Sequence, residues 1–174
     1  RGGVLVIHEN RGLNPHIEDI TRRMALEGFT ALGLDFLTPL GGTPTAPDAA
    51  RALFPQLPAE AVIAQGRTAL KYLASRPDAT GRTGAVGFCW GGGAVNDLAV
   101  SVPELSAGVV FYGRSPDLAK VPQIKARLLI QQASRDTRLV QMLPDYEKAL
   151  KTANIQYEAI VYPDVDHAFM NDTS

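Results

Sequence analysis

The stretch VGFCWGGG, residues 86–93, decides how this chain is read. It holds the one cysteine among 174 residues, set between a hydrophobic run and a cluster of glycines. Two readings of Cys89 compete. Free cysteine is among the most buried residue types, so the thiol can be a small core filler in a tight turn. It can equally be a nucleophile held out by that turn. The surroundings favour the nucleophile. GAVGF (84–88) reads as a strand, and GGGAVNDLAVSV (91–102) starts a helix. Gly87-x-Cys89-x-Gly91 then forms a nucleophile elbow, with sulfur in place of the usual serine oxygen. A bend this sharp strains the backbone of the central residue. A side chain two positions to either side would clash, and glycine at both removes the clash. The elbow places the sulfur at the positive end of the following helix, a field that favours thiolate. It also aims the Trp90 N–H at a developing oxyanion. A phosphate-binding turn is a poorer fit: no Lys-Ser/Thr follows, and the glycines do not lie in the first strand–helix unit.

Outward from the elbow, short apolar runs alternate with helical patterns. VLVI (4–7) is a compact run suited to a strand buried on both faces. In IEDITRRMALEG (17–28), Ile17, Ile20, Met24 and Ala25 recur at helical spacing and Gly28 ends the pattern. TALGLD (30–35) is the next strand. Residues 37–58 contain five prolines and a Gly-Gly pair and predict a long irregular loop or lid. AEAVIAQGRTALKYLAS (59–75) is helical, AGVVFYG (107–113) and ARLLIQQ (126–132) are strands, LPDYEKALKTAN (143–154) is a helix and QYEAIVYP (156–163) a last strand. Six strands separated mostly by helices predict an α/β fold: a largely parallel sheet flanked by helices, in a single domain over residues 1–174. In such sheets the reactive groups sit in loops at the carboxyl ends of strands.

Composition narrows the function classes. Hydrophobic residues make up 45 % and charged residues 20 %, an ordinary globular balance. A formal net charge of −1 lacks the basic excess of a nucleic-acid or membrane-surface binder. No apolar run approaches the ~18 residues of a membrane span. A lone cysteine allows no internal disulfide, which fits a cytoplasmic location. The opening at Arg1 and the close at HAFMNDTS both read as cuts or processing. No metal or cofactor is expected: His8 and Glu9 resemble a ligand pair, but adjacent strand residues point to opposite faces. A monomer or homodimer is expected, with neither nucleic acid nor membrane as partner.

A thiol nucleophile needs a base, and the base an orienting acid. In α/β-hydrolases these follow in the order nucleophile, acid, histidine. Of three histidines, His8 ends the first strand, His16 begins a helix, and only His167 follows the elbow, in VYPDVDHAF. Asp136 follows LLIQQASR at another strand's carboxyl end. Taken singly, His167 reads as a surface histidine and Asp136 as a helix N-cap; together with Cys89 they satisfy both order and location. Asp164 and Asp166 are rival acids, placed too near His167 in sequence to reach it easily from another strand. Glu9, at the tip of the first strand, is either a fourth participant or a surface partner of Arg11 or Arg22. The Asn10 N–H is the second candidate oxyanion donor.

VLVIHENRGLNPHIEDITRRMALEGFTALGLDFL, GAVGFCWGGG, FYG, ASRD and DVDHAF, taken in order, resemble the dienelactone hydrolase family, the carboxymethylenebutenolidases. The resemblance implies an α/β-hydrolase fold with Cys89, Asp136 and His167 as triad, and Glu9 beside Cys89 to help deprotonate the thiol. It implies that Tyr112 lines the pocket. Family members are longer at both ends, so their first strands and last helix are expected to be missing here. Dienelactone-cleaving members carry a substrate-gripping arginine four residues after the histidine, where this chain has Asn171; Arg51 is the counterpart of a second arginine in the lid. A neutral ester or lactone is therefore as good a candidate substrate as an anionic one. Two other classes remain: a non-catalytic scaffold that binds a ligand or partner protein, and a thiol redox sensor, which would lack a resolving cysteine.

Overall fold

The computed structural model describes residues 1–173. Six strands form one sheet in the order β2-β1-β3-β4-β5-β6. These are β1 Gly3–Ile7, β2 Thr30–Leu34, β3 Thr83–Phe88, β4 Ala107–Phe111, β5 Arg127–Ala133 and β6 Tyr157–Tyr162. Every neighbouring pair is parallel. Each connection therefore crosses over, and the carboxyl ends of all six strands meet at one edge.

The strand sequences explain their places. In β1, Leu5, Val6 and Ile7 are all fully buried, as a central parallel strand requires because helices cover both its faces. Helix α1 (Pro15–Leu26) is capped by Asn14, whose side chain accepts from the Ile17 N–H, and Pro15 stands in its first turn. It buries Ile17 and Ile20 against Val6, Val86 and Phe88, each apolar side chain contributing about 1.5–3 kcal/mol. Helices α3 (Ala59–Ser75), α4 (Trp90–Ser101) and α5 (Thr137–Thr152) contribute to a larger core that includes Leu5, Ile7, Ala85, Val110 and Ile130. Since Leu5 and Val6 point to opposite faces, the two clusters lie on opposite sides of the sheet.

Two sequence expectations need correction. The proline-rich segment 37–58 is not irregular throughout: it contains helix α2 (Pro47–Leu53) and two single 3₁₀ turns. Pro47 sits at the start of α2, where its fixed φ suits a helix, and Ala49, Ala50, Ala52 and Leu53 are good helix formers. Helix α5 starts at Thr137, where the capping reading of Asp136 puts it, rather than at residue 143 as its apolar pattern suggests, and runs through Pro144. The Asp136 side chain caps it. The buried side of Leu139, Leu143, Tyr146 and Leu150 outweighs the local cost of one proline.

Candidate active site

The elbow has the backbone geometry its sequence demands. Cys89 lies between β3 and α4 at φ 56° and ψ −113°, a conformation costing a non-glycine residue about 1–3 kcal/mol. The Cys89 N–H donates to the Phe111 carbonyl at 3.0 Å, which ties the bend to β4. A Cβ on Gly91 would come within 2.5 Å of the His8 carbonyl, and one on Gly87 within 2.8 Å of Val95 Cγ2. Both glycines are thus required by close packing of the bend on β1 and on α4 itself. Trp90 is the first residue of α4, so its N–H is among the donors a helix leaves without an internal partner.

His167 and Asp136 converge on this bend from the ends of β6 and β5. His167 Nδ1 lies 2.5 Å from Asp136 Oδ2. The other carboxylate oxygen, Oδ1, accepts from the Leu139 N–H at 3.4 Å. Capping and holding the imidazole are therefore simultaneous roles of one side chain. Asp164 and Asp166 face away from this arrangement and pair with Arg135 at 3.9 and 3.4 Å. His167 has its pKa raised to about 9, chiefly by hydrogen bonding to the Cys89 sulfur, against desolvation and with help from Asp136. Cys89 and His167 together line a cleft of about 350 Å³ whose wall includes Asn10, Trp90, Tyr112 and Arg138.

Glu9 is a buried residue, not a surface partner of Arg11 or Arg22. It is 4 % exposed. Tyr112 Oη donates to Oε1 at 3.4 Å and Asn171 Nδ2 to Oε2 at 2.8 Å. Burial, reinforced by the Glu9 charge, pushes the Tyr112 hydroxyl well above its ordinary pKa, so it stays a donor. Asn171 Oδ1 accepts from both the N–H and the hydroxyl of Thr173, which turns the amide nitrogen toward Glu9. Arg51 and Asn171 line a smaller side cleft of about 270 Å³ with Glu9, Asn10, Cys89 and His167; Arg51 also pairs with Asp48 at 3.4 Å. Eight of the nine residues singled out in the sequence thus line one of these two clefts; the ninth, Asp136, reaches them through His167.

The residue whose part the sequence did not show is His8. It is fully buried, its ring stacks on Trp90 at 5.5 Å and 15°, and both its nitrogens are engaged. Its place directly before Glu9 and Asn10 was the available signal. Among the described residues, no group of three or more His, Cys, Asp or Glu is placed to hold a metal, and no helix is long and apolar enough to cross a membrane.

The dienelactone hydrolase family profile matches residues 1–174. The chain belongs to the dienelactone hydrolase family. A protein of Escherichia coli K12, provisionally named carboxymethylenebutenolidase, is 32 % identical over 187 residues, covering 97 % of this chain and 68 % of the relative. One of Saccharolobus solfataricus with the same provisional name is 30 % identical, with 97 % and 79 % covered. A provisionally named dienelactone hydrolase from Klebsiella pneumoniae superposes with a TM-score of 0.85 at 28 % identity, over 96 % of this chain and 75 % of that one. The sheet, its flanking helices and these neighbours are those of an α/β-hydrolase.

Proposed function

We propose that this chain hydrolyses a small ester or lactone through a thioester on Cys89. One observation carries the reading: a cysteine held at positive φ between strand and helix shares a cleft with a histidine whose far nitrogen is held by a carboxylate. Family membership supports the reaction class.

The reactive form pairs the Cys89 thiolate with the imidazolium that has taken its proton, a form of His167 that its raised pKa favours. The thiolate attacks the carbonyl carbon and the carbonyl π electrons move onto oxygen. The N–H groups of Trp90 and Asn10 receive that oxyanion, each donor contributing about 2.7–4 kcal/mol. The oxyanion collapses, the C–O bond breaks, and the imidazolium gives its proton to the leaving oxygen, so the imidazole is neutral in the acyl-enzyme. The main influence holding up the His167 pKa, the sulfur acceptor, is spent in the thioester bond. His167 is then free to take a proton from water. The resulting hydroxide attacks the thioester, and collapse releases acid and thiolate while His167 keeps the proton. In a lactone the leaving oxygen stays tethered to the acyl group, so one product leaves. Glu9, which lines the side cleft with Cys89 and His167 and is held by neutral donors, assists transfer of the thiol proton to His167. The substrate is received in the larger cleft, beside Tyr112 and Leu57 of the proline-rich segment.

The test is hydrolysis of p-nitrophenyl acetate by wild type, Cys89→Ala and His167→Ala. Losses of about 10³-fold or more are expected in both variants. Equal rates in all three would remove the triad, and a folded wild type inert toward every small ester would favour a binding scaffold instead.

A further inference from the structure

We propose that His8 is a positioning residue for the two oxyanion donors, acting as a neutral imidazole with its proton on Nδ1. The proposal rests on the hydrolytic reading above.

The tautomer follows from the partners. His8 Nε2 lies 3.1 Å from the Phe36 main-chain nitrogen, which can only donate, so Nε2 is the bare acceptor. The ring proton is then on Nδ1, which donates to the Glu9 carbonyl at 2.8 Å. Burial lowers the His8 pKa, against the Glu9 carbonyl and the Asp35 carboxylate, and so favours this neutral form. Asp35 is 3.9 Å from Nε2, but its oxygens already accept from the Leu37 N–H and from the Thr43 N–H and hydroxyl. Protonation would set an Nε2–H against the Phe36 N–H.

The position of that bond matters. The Glu9 carbonyl and the Asn10 N–H belong to one planar peptide unit and point in opposite directions. The carbonyl accepts from the His8 Nδ1–H at 2.8 Å and, more weakly, from the Gly12 N–H at 3.3 Å, so the shorter His8 bond helps fix the direction of the Asn10 N–H. The same ring stacks on Trp90, whose main chain carries the other donor, while Phe36 and Phe54 pack edge-on against it at 5.7 Å. One flat side chain with opposed donor and acceptor thus couples the β1 loop, the end of β2 and the start of α4. A hydrophobic ring would keep the stack and leave the peptide held by the longer Gly12 bond alone.

His8→Phe, His8→Asn and wild type separate these contributions, with folding checked by thermal melting. For His8→Phe, kcat on p-nitrophenyl acetate should fall about 10- to 100-fold, with KM held within about twofold. Alkylation of Cys89 by iodoacetamide builds no oxyanion and should keep its rate. His8→Asn, whose amide reaches the Nδ1 position, should recover part of kcat. Equal losses in alkylation and kcat, or no loss in either, overturn the proposal. ¹⁵N imidazole signals of the wild type give a reading independent of turnover and of variant folding: one ring should show Nδ1 protonated and Nε2 bare at pH near 7. An Nε2–H tautomer or an imidazolium there overturns it. Absence of ester hydrolysis by the wild type would instead remove the hydrolytic reading, while the ring signals still decide the tautomer.

Discussion

Asp136 Oδ2 sits 2.5 Å from His167 Nδ1 while Asp136 Oδ1 takes the Leu139 N–H at the start of α5. The acid that orients the imidazole is thus also the cap of a helix, and the two roles can be separated. Asp136→Asn preserves a good cap and removes the charge; Asp136→Ala removes both. Both variants should lose about 10²–10⁴-fold in kcat. Urea unfolding should show an additional destabilisation of about 1 kcal/mol for the alanine variant alone. Retained activity in the asparagine variant would show that the carboxylate serves the helix and not the chemistry.

The raised imidazole of His167 carries a pH signature. His167 is raised from 6.5 to about 9, so its contribution to stability is complete below about pH 6.5 and is lost as pH rises through 9. Its side chain is 36 % exposed, so solvent screening reduces the effect. Urea stability measured from about pH 6 to about pH 10 should fall more for wild type than for His167→Gln. Parallel curves would contradict the pairing.

Gly91 bears on the backbone of β1. A methyl group there meets the His8 carbonyl at 2.5 Å, and main chain cannot swing aside as a flexible side chain can. Gly91→Ala is expected to destabilise by about 1–3 kcal/mol and to abolish ester hydrolysis, read by thermal melting and by p-nitrophenyl acetate. A variant with wild-type melting would mean that the bend has room to spare.

Glu9 and Asn171 should be energetically coupled. Asn171→Leu takes a donor from a buried carboxylate, a change costing about 1–3 kcal/mol. In a double-mutant cycle with Glu9→Gln, the loss should be non-additive by about 0.5 kcal/mol or more. Additive losses would show that the contact contributes nothing of its own.

What the sequence revealed and what it hid divide along physical lines. The elbow was legible because its requirement is local: glycine two residues to either side of a strained cysteine. His167 and Asp136 were legible because parallel topology sends every strand end to one edge. The role of His8 was not, because it depends on Phe36 and Trp90, far away in the chain and brought near only by β2 and α4. Asn171 pointed to substrate by position, yet Thr173 turns its amide to Glu9. Helix α2 was masked by five neighbouring prolines, one of which starts it. The beginning of α5 was legible only through Asp136 as a cap, because Pro144 reads as a breaker until the burial of Leu143 and Tyr146 is known.

The bond between Glu9 and Asn171 spans 162 positions of chain, and the imidazole arrives almost as late. During synthesis the bend bearing the sulfur emerges long before the groups that activate and enclose it. A nascent chain therefore presents Cys89 before His167 and Asn171 exist beside it. The clefts that these residues line close only after β6 has docked on β5.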